Sequence, residues 1–229
     1  MKNTVSAIIT AGGNGTRFRK DKMLALIKGR PLILYTLDIF RQSKNIGEII
    51  VLVKKRRMKK YRQIIETAGY KVKMVPAKHE RIVSIYSGIK AAKGKYVITH
   101  DGNRPLASHY LVDKLINEVK KSRAVITAIS PTATIKYTNG MFVEKSLPRK
   151  KTWIAQTPQA FERKIILTAF KKAIENKYFV PTDDSDLITR SGGKVKIIPG
   201  EETNIKVTFP QDIIIAEQLL SFSKKLCIA

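Results

Sequence analysis

Seven short runs rich in Val and Ile, at residues 5–10, 48–53, 71–75, 95–100, 124–129, 194–198 and 204–208, alternate with stretches whose apolar positions recur at helical spacing. Parallel strands need long crossovers, and helices are their usual content. The alternation therefore predicts an α/β fold, a Rossmann-like, mostly parallel sheet covered by helices, in one domain spanning residues 1–229. Helices are expected at 32–42, 59–68, 81–92, 108–121, 162–176, 184–190 and 211–224. In the last, Pro210 stands at the entry and Ile213, Ala216, Leu219 and Leu220 keep the period of a helix packed on a sheet. Only residues 131–156 break the rhythm. There Ala133-Thr134-Ile135-Lys136-Tyr137, Thr138-Asn139-Gly140 and Met141-Phe142-Val143 have the pattern of a hairpin, predicting a projecting β-arm. An isolated two-stranded ribbon is marginal in water, so the arm needs something to pack on, and a second subunit is one candidate.

The first predicted strand runs into Ala11-Gly12-Gly13-Asn14-Gly15-Thr16-Arg17, with Lys22 shortly after. Glycines let a backbone approach a ligand closely, and converging N–H groups with Arg17 and Lys22 suit phosphate. The spacing matches neither the P-loop nor the dinucleotide fingerprint. The segment reads either as a nucleotide-phosphate cradle or as a tight strand-to-helix turn, and the basic pair downstream favours the cradle.

The chain carries 44 Lys and Arg against 18 Asp and Glu, a net charge of +26, which implies attraction to polyanions. Seven of the nine residues 54–62 are basic, yet no aromatic platform or nucleic-acid module accompanies them, so a solvated face is preferred over a nucleic-acid patch. Cys227 is the single cysteine, which rules out an intramolecular disulfide and fits a reducing compartment. No signal-peptide pattern is present and no apolar run approaches the ~18 residues of a membrane span, so a cytoplasmic protein is expected.

Ligands of open parallel sheets gather at the carboxyl ends of strands. His100-Asp101-Gly102-Asn103-Arg104-Pro105 follows one such end. Asp101 can hold Mg²⁺, which takes one or two protein carboxylates and fills its shell with water and substrate phosphates; the alternative is an Asx-type turn before Pro105. No His or Cys pair has zinc spacing, and His100 reads as a strand-end packing residue. Thr182-Asp183-Asp184-Ser185 first reads as a helix N-cap, and Lys206 and Thr208 share a face of the last predicted strand, facing either solvent or phosphate.

Taken in order, these segments resemble one family along the whole chain, the 2-C-methyl-D-erythritol 4-phosphate cytidylyltransferases. The resemblance rests on the glycine loop with Arg17 and Lys22, on Glu80-Arg81-Ile82-Val83-Ser84, on the His100 to Pro105 run, on Arg149 with Gln156-Thr157-Pro158-Gln159, on Thr182-Asp183-Asp184-Ser185, and on Asn204-Ile205-Lys206-Val207-Thr208. It implies transfer of CMP from CTP to a sugar-alcohol phosphate, with Mg²⁺ as cofactor. By motif position, Ala11, Gly12, Gly13, Gly15, Ser84 and Gly102 would bind the nucleotide, Arg17, Lys22 and Lys206 would be catalytic, and Asp101 would bind the metal. Arg104, Thr134, Arg149, Thr182 and Lys206 would hold the acceptor, with Thr134 and Arg149 reaching a neighbouring subunit across a homodimer formed by the arm. The loop departs from the family in placing Asp21 where a proline usually precedes the lysine, and in a shorter spacing from Arg17 to Lys22, similar to the molybdenum-cofactor nucleotidyltransferases. Ribitol-5-phosphate cytidylyltransferases share many of the motifs. A nucleic-acid-binding protein on the same scaffold is the reading from a different class.

Overall fold

The first strand shows why the sheet lies in the middle of the molecule. In β1 (Val5–Thr10), Val5, Ala7, Ile8 and Ile9 are all fully buried, as an unalternating apolar run requires when both faces of a strand are covered. The computed structural model describes residues 5–13, 18, 21–177 and 181–226, with side chains as far as 222. After β1 come β2 (Leu26–Ile27), β3 (Arg30–Pro31), α1 (Leu32–Arg41), β4 (Ile46–Lys54), α2 (Met58–Thr67), β5 (Lys73–Ala77), α3 (Arg81–Ala91), β6 (Tyr96–Asp101) and α4 (His109–Ser122). Next are β7 (Ala124–Ile129), β8 (Lys136–Asn139), β9 (Phe142–Ser146), β10 (Ile154–Glu162), α5 (Arg163–Glu175), α6 (Asp186–Arg190), β11 (Lys196–Pro199) and α7 (Asp212–Leu226).

Seven strands form the central sheet in the order β11-β7-β10-β6-β1-β4-β5. All neighbours are parallel except β10, which runs antiparallel to both β6 and β7. Alternate residues feed two cores. Ala7, Ile9, Val51 and Val53 pack with α1, α2, α4 and α7, whereas Ile8, Ile50 and Leu52 pack with α3, α5 and α6. Helix α4 begins where Ser108 Oγ accepts the Leu111 N–H at 3.0 Å, which satisfies one of the helix's free donors.

The chain leaves β1 toward β4 and β5 and then returns to β6 on the other side of β1, creating a switch point where a crevice opens at the strand ends. Register aligns Val75, Leu52, Thr10 and Asp101 in one row across β5, β4, β1 and β6. The loops that follow these four strands are thereby brought to one edge.

Three expectations need correction. Residues 204–208 are not a strand: Val207 and Asn103 exchange two hydrogen bonds, at 2.9 Å from Val207 N to Asn103 O and 2.6 Å from Asn103 Nδ2 to Val207 O, and no ladder continues from them. The arm ends earlier than residue 156, because Ile154, Ala155 and Gln156 pair with Ile129, Ala128 and Thr127 of the central sheet. Strand β10 itself was not anticipated, since Gln156-Thr157-Pro158-Gln159 looks too polar for a central strand and proline cannot donate to a ladder. The fold accommodates the proline in a register break between Gln156 and Gln159. The expected hairpin forms as β8 and β9, with every residue of both strands exposed.

Candidate active site

A cleft of about 420 Å³ opens along the switch-point edge, lined by Gly12, Gly13, Phe18, Asp21, Lys22 and Met23 from the first loop. Leu52, Lys54, Ala77, Lys78, His79, Arg81, Ser84, Asn103, Lys206 and Thr208 complete it. Close approach explains one of the glycines. A Cβ on Gly12 would stand 2.5 Å from the Cβ of Ala77, so a side chain there would push apart two walls of the cleft; a Cβ on Gly13 would meet nothing within 4 Å. Ser84 is buried, and its hydroxyl accepts the Lys78 N–H at 2.8 Å and lies 3.0 Å from the Glu80 carbonyl that it can donate to. It thereby shapes the 78–80 loop that forms one wall.

The electrostatic centre is Asp101. Its Oδ2 accepts Lys206 Nζ at 2.7 Å, and Arg81 stands 3.7 Å from Oδ1. Burial by itself would raise this carboxyl, but Lys206 and then Arg81 outweigh burial and hold it well below the usual carboxylate range. Asp101 is therefore an anion at neutral pH. Arg81 is shared with Asp184, a buried carboxylate whose Oδ1 it reaches at 2.7 Å, and this partner first, then Asp101, raises the guanidinium's affinity for its proton. Among the described residues no group of three or more His, Cys, Asp or Glu side chains could cage an ion. One ionised carboxylate beside the cleft residues Lys206 and Arg81 fits the donor set of Mg²⁺, which keeps waters and phosphate oxygens as its other ligands.

The Asp101 loop is braced from several sides. Arg104 N donates to Asp101 O at 2.9 Å, closing a turn, and Arg104 Nη1 donates to Asn204 O at 2.7 Å. Burial lowers the Arg104 pKa, and its buried Nε has no partner among the described residues. His100 packs edge-on against Phe40 with ring centroids 5.2 Å apart, and burial pushes its imidazole down to about 4, so it is neutral. Gln156 donates to Glu201 O at 2.9 Å, and Gln159 donates to Asp183 Oδ2 at 2.9 Å.

The structure thus gathers Gly12, Gly13, Lys22, Ser84, Asp101 and Lys206 at one edge. Ala11 is buried and continues the sheet, donating to Leu52 O at 2.9 Å. Gly102 is explained by packing, because a Cβ there would lie 2.7 Å from the Thr10 carbonyl oxygen. Arg17 and Gly15 lie outside the described residues. Thr182 is exposed just before Asp183, whose carboxylate accepts the Asp186 N–H at the first residue of α6, while Ser185 at the cap position makes no side-chain cap bond; the same segment sets Asp184 against Arg81. Thr134 and Arg149 belong to the exposed arm and do not line the cleft of their own chain. Sequence reasoning left Arg81, Asn103 and Thr157 without roles. The detectable signal was four successive non-apolar residues, 156–159, ahead of the apolar Ala160 and Phe161.

Asp21 also faces this cleft, where its carboxylate accepts Tyr61 Oη at 2.8 Å and pairs with Arg57 at 3.2 Å. Of the basic 54–62 run, Lys54 lines the cleft and Arg57 pairs with Asp21, while Lys55, Arg56, Lys59, Lys60 and Arg62 are exposed, as expected of a solvated face.

Positive groups and the carboxylates of Asp21 and Asp101 border the space a triphosphate would fill, an arrangement suited to displacement at phosphorus by positioning and charge. That chemistry on this sheet sets the chain among the Rossmann-like nucleotidyltransferases. The family model described as IspD, 2-C-methyl-D-erythritol 4-phosphate cytidylyltransferase, matches residues 5–221, and the chain belongs to that family. It is 38% identical over 229 residues to the 2-C-methyl-D-erythritol 4-phosphate cytidylyltransferase of Syntrophus aciditrophicus, covering 96% of this chain and 97% of that one. The enzyme of the same name from Bacillus licheniformis is 35% identical over 223 residues, covering 95% and 96%. The crystal structure of 4-diphosphocytidyl-2C-methyl-D-erythritol synthase from Anaerococcus prevotii superposes with a TM-score of 0.86 at 36% identity, covering 96% of each chain.

Proposed function

We propose that this protein transfers CMP from CTP to 2-C-methyl-D-erythritol 4-phosphate and releases pyrophosphate. The observation that carries the reading is the Asp101–Lys206 pair, 2.7 Å apart, at the edge of a cleft that the glycine loop also lines. An oxygen of the acceptor's phosphate attacks the α-phosphorus, a new P–O–P linkage forms, and the bond to the bridging oxygen of the β-phosphate breaks. A phosphate monoester is largely dianionic at neutral pH, with a second pKa near ~6, so no general base is required.

Gly12 and Gly13, with Ala11 and Gly15, would let the backbone approach the triphosphate, and Arg17 and Lys22 would face its charge. Gly102 would hold the turn beside the nucleotide. Asp101 would hold Mg²⁺, which supplies positive charge to the phosphates when bound. Lys206, already oriented by Asp101, would lie beside the reacting phosphates, while Ser84 orders the wall that meets the base. Arg104, Arg149, Thr134 and Thr182 would bind the acceptor. The arm supports a homodimer: Met141 is 95% and Phe142 83% exposed, an apolar tip that a single chain leaves in water. A partner arm would then deliver Thr134 and Arg149. Among the described residues no helix is long and apolar enough to cross a membrane, and an enzyme drawing on CTP would work in the cytoplasm.

The test is pyrophosphate release with CTP, Mg²⁺ and either 2-C-methyl-D-erythritol 4-phosphate or ribitol 5-phosphate. Release with the first above the acceptor-free rate is expected. A large preference for ribitol 5-phosphate would overturn the acceptor, and no release with either would overturn the activity.

A further inference from the structure

The register break in β10 leaves the end of β6 unpaired on that side, although β1 still pairs with it on the other: the β10 ladder reaches Gln159 opposite Thr99 and stops, two residues short of Asp101. A side chain takes its place. Thr157 Oγ1 accepts the Asp101 N–H at 3.0 Å and lies 3.1 Å from His100 Nδ1, while His100 Nε2 lies 3.0 Å from the Arg104 carbonyl. A carbonyl only accepts, so Nε2 carries a hydrogen; in the neutral imidazole Nδ1 is then an acceptor, and the Thr157 hydroxyl donates to it. The Asp101 N–H, the hydroxyl, the imidazole and the Arg104 carbonyl form one directed chain that begins and ends on the turn 101–104. Thr157 is 7% and His100 1% exposed, so water does not compete.

We infer that Thr157 and His100 are positioning residues for the transfer, fixing the main chain at Asp101 so that its carboxylate meets Lys206 and the metal–nucleotide in one geometry. This rests on the activity proposed above. Neither side chain lines the cleft, so both act through Asp101. A merely structural role would appear as lost stability, whereas a positioning role appears as lost turnover with substrate binding retained.

The decisive variants are Thr157→Val, which keeps the shape and loses the hydroxyl, and Thr157→Ser, which keeps the hydroxyl. Partners that orient a metal ligand typically change affinity or activity about 10–100-fold. Thr157→Val should lower kcat by that factor while the KM values for CTP and acceptor stay within about threefold, and Thr157→Ser should restore most of the turnover. A second pair covers poor folding of Thr157→Val. His100→Asn offers an acceptor near the Nδ1 position and His100→Gln a donor near Nε2, so His100→Asn should retain the higher kcat. Affinity of the protein–CTP complex for Mn²⁺, followed by water-proton relaxation without acceptor, should weaken in Thr157→Val and recover in Thr157→Ser. That binding measurement separates the two readings, because it tests the relay even if neither acceptor turns over. Wild-type kcat and Mn²⁺ affinity in Thr157→Val, or no recovery in Thr157→Ser, would overturn the inference.

Discussion

Gly12→Ala provides the most direct test of how the cleft is built. The new methyl would stand 2.5 Å from the Ala77 Cβ, against the about 3.5–4.0 Å at which carbon atoms rest, so the walls must separate by roughly 1 Å. Both Cβ atoms are fixed to backbone, one in the loop after β1 and the other at the end of β5, and neither can rotate away. Overpacking of this kind costs about 1–3 kcal/mol, which for a chain of this length lowers Tm by roughly 2–12 °C. A shift of about 1 Å at a substrate-positioning loop can cost about 100-fold in rate. The assay is urea denaturation together with kcat/KM for CTP, on Gly12→Ala, Ala77→Gly and the double variant. If the clash is the cause, removing the opposing methyl relieves it, and the double variant should be more stable than the sum of the single changes by about 1–3 kcal/mol. Additive single effects, within about 0.5 kcal/mol, would refute the contact as the reason for glycine at position 12.

Lys206→Ala should reduce turnover about 100–1000-fold, since it removes positive charge from the phosphates, and should also lower Tm, since Asp101 loses the nearest charge that offsets its burial and keeps only Arg81; activity within tenfold of wild type would remove Lys206 from the mechanism. In the metal-free protein, folding stability should fall as pH drops from about 6.5 to about 4, because the unfolded chain protonates His100 before the folded chain can. The loss approaches roughly 3 kcal/mol, and His100→Gln should flatten that window in denaturation measured in EDTA. Asp101, held below the ordinary carboxylate value, adds a further loss in the same direction at still lower pH. Met141→Glu with Phe142→Glu should convert a dimer to monomers in sedimentation, and mixing Asp101→Ala with Arg149→Ala chains should restore turnover that neither has alone, because a shared site can draw Asp101 from one chain and Arg149 from the other.

Local pattern made much of the fold legible. Strands β1, β4, β6 and β7 have centres buried on both faces and read as short runs rich in Val and Ile, and the helices declare themselves by their 3.6-residue period. β10 escaped because its middle is polar for a reason no local rule supplies. Gln156, Thr157 and Gln159 are directed at three different loops, each far away in sequence. Residues 204–208 escaped in the opposite sense: their alternation suits a strand, but their hydrogen bonds go to the Asn103 turn and not to a neighbouring ladder.

By itself the sequence determined the α/β class, the order of most elements, the arm and the residues from which a phosphate cleft would be built, because periodicity and turn chemistry act over a few residues. Tertiary structure alone decided which charges meet. Lys206 reaches Asp101 across 105 positions of chain, and Arg81 bridges Asp101 to a buried Asp184, pairings that hold a carboxylate ionised against the cost of burial. Such long-range contacts depend on where the sheet's switch point brings strand ends together, and no window along the chain contains that information.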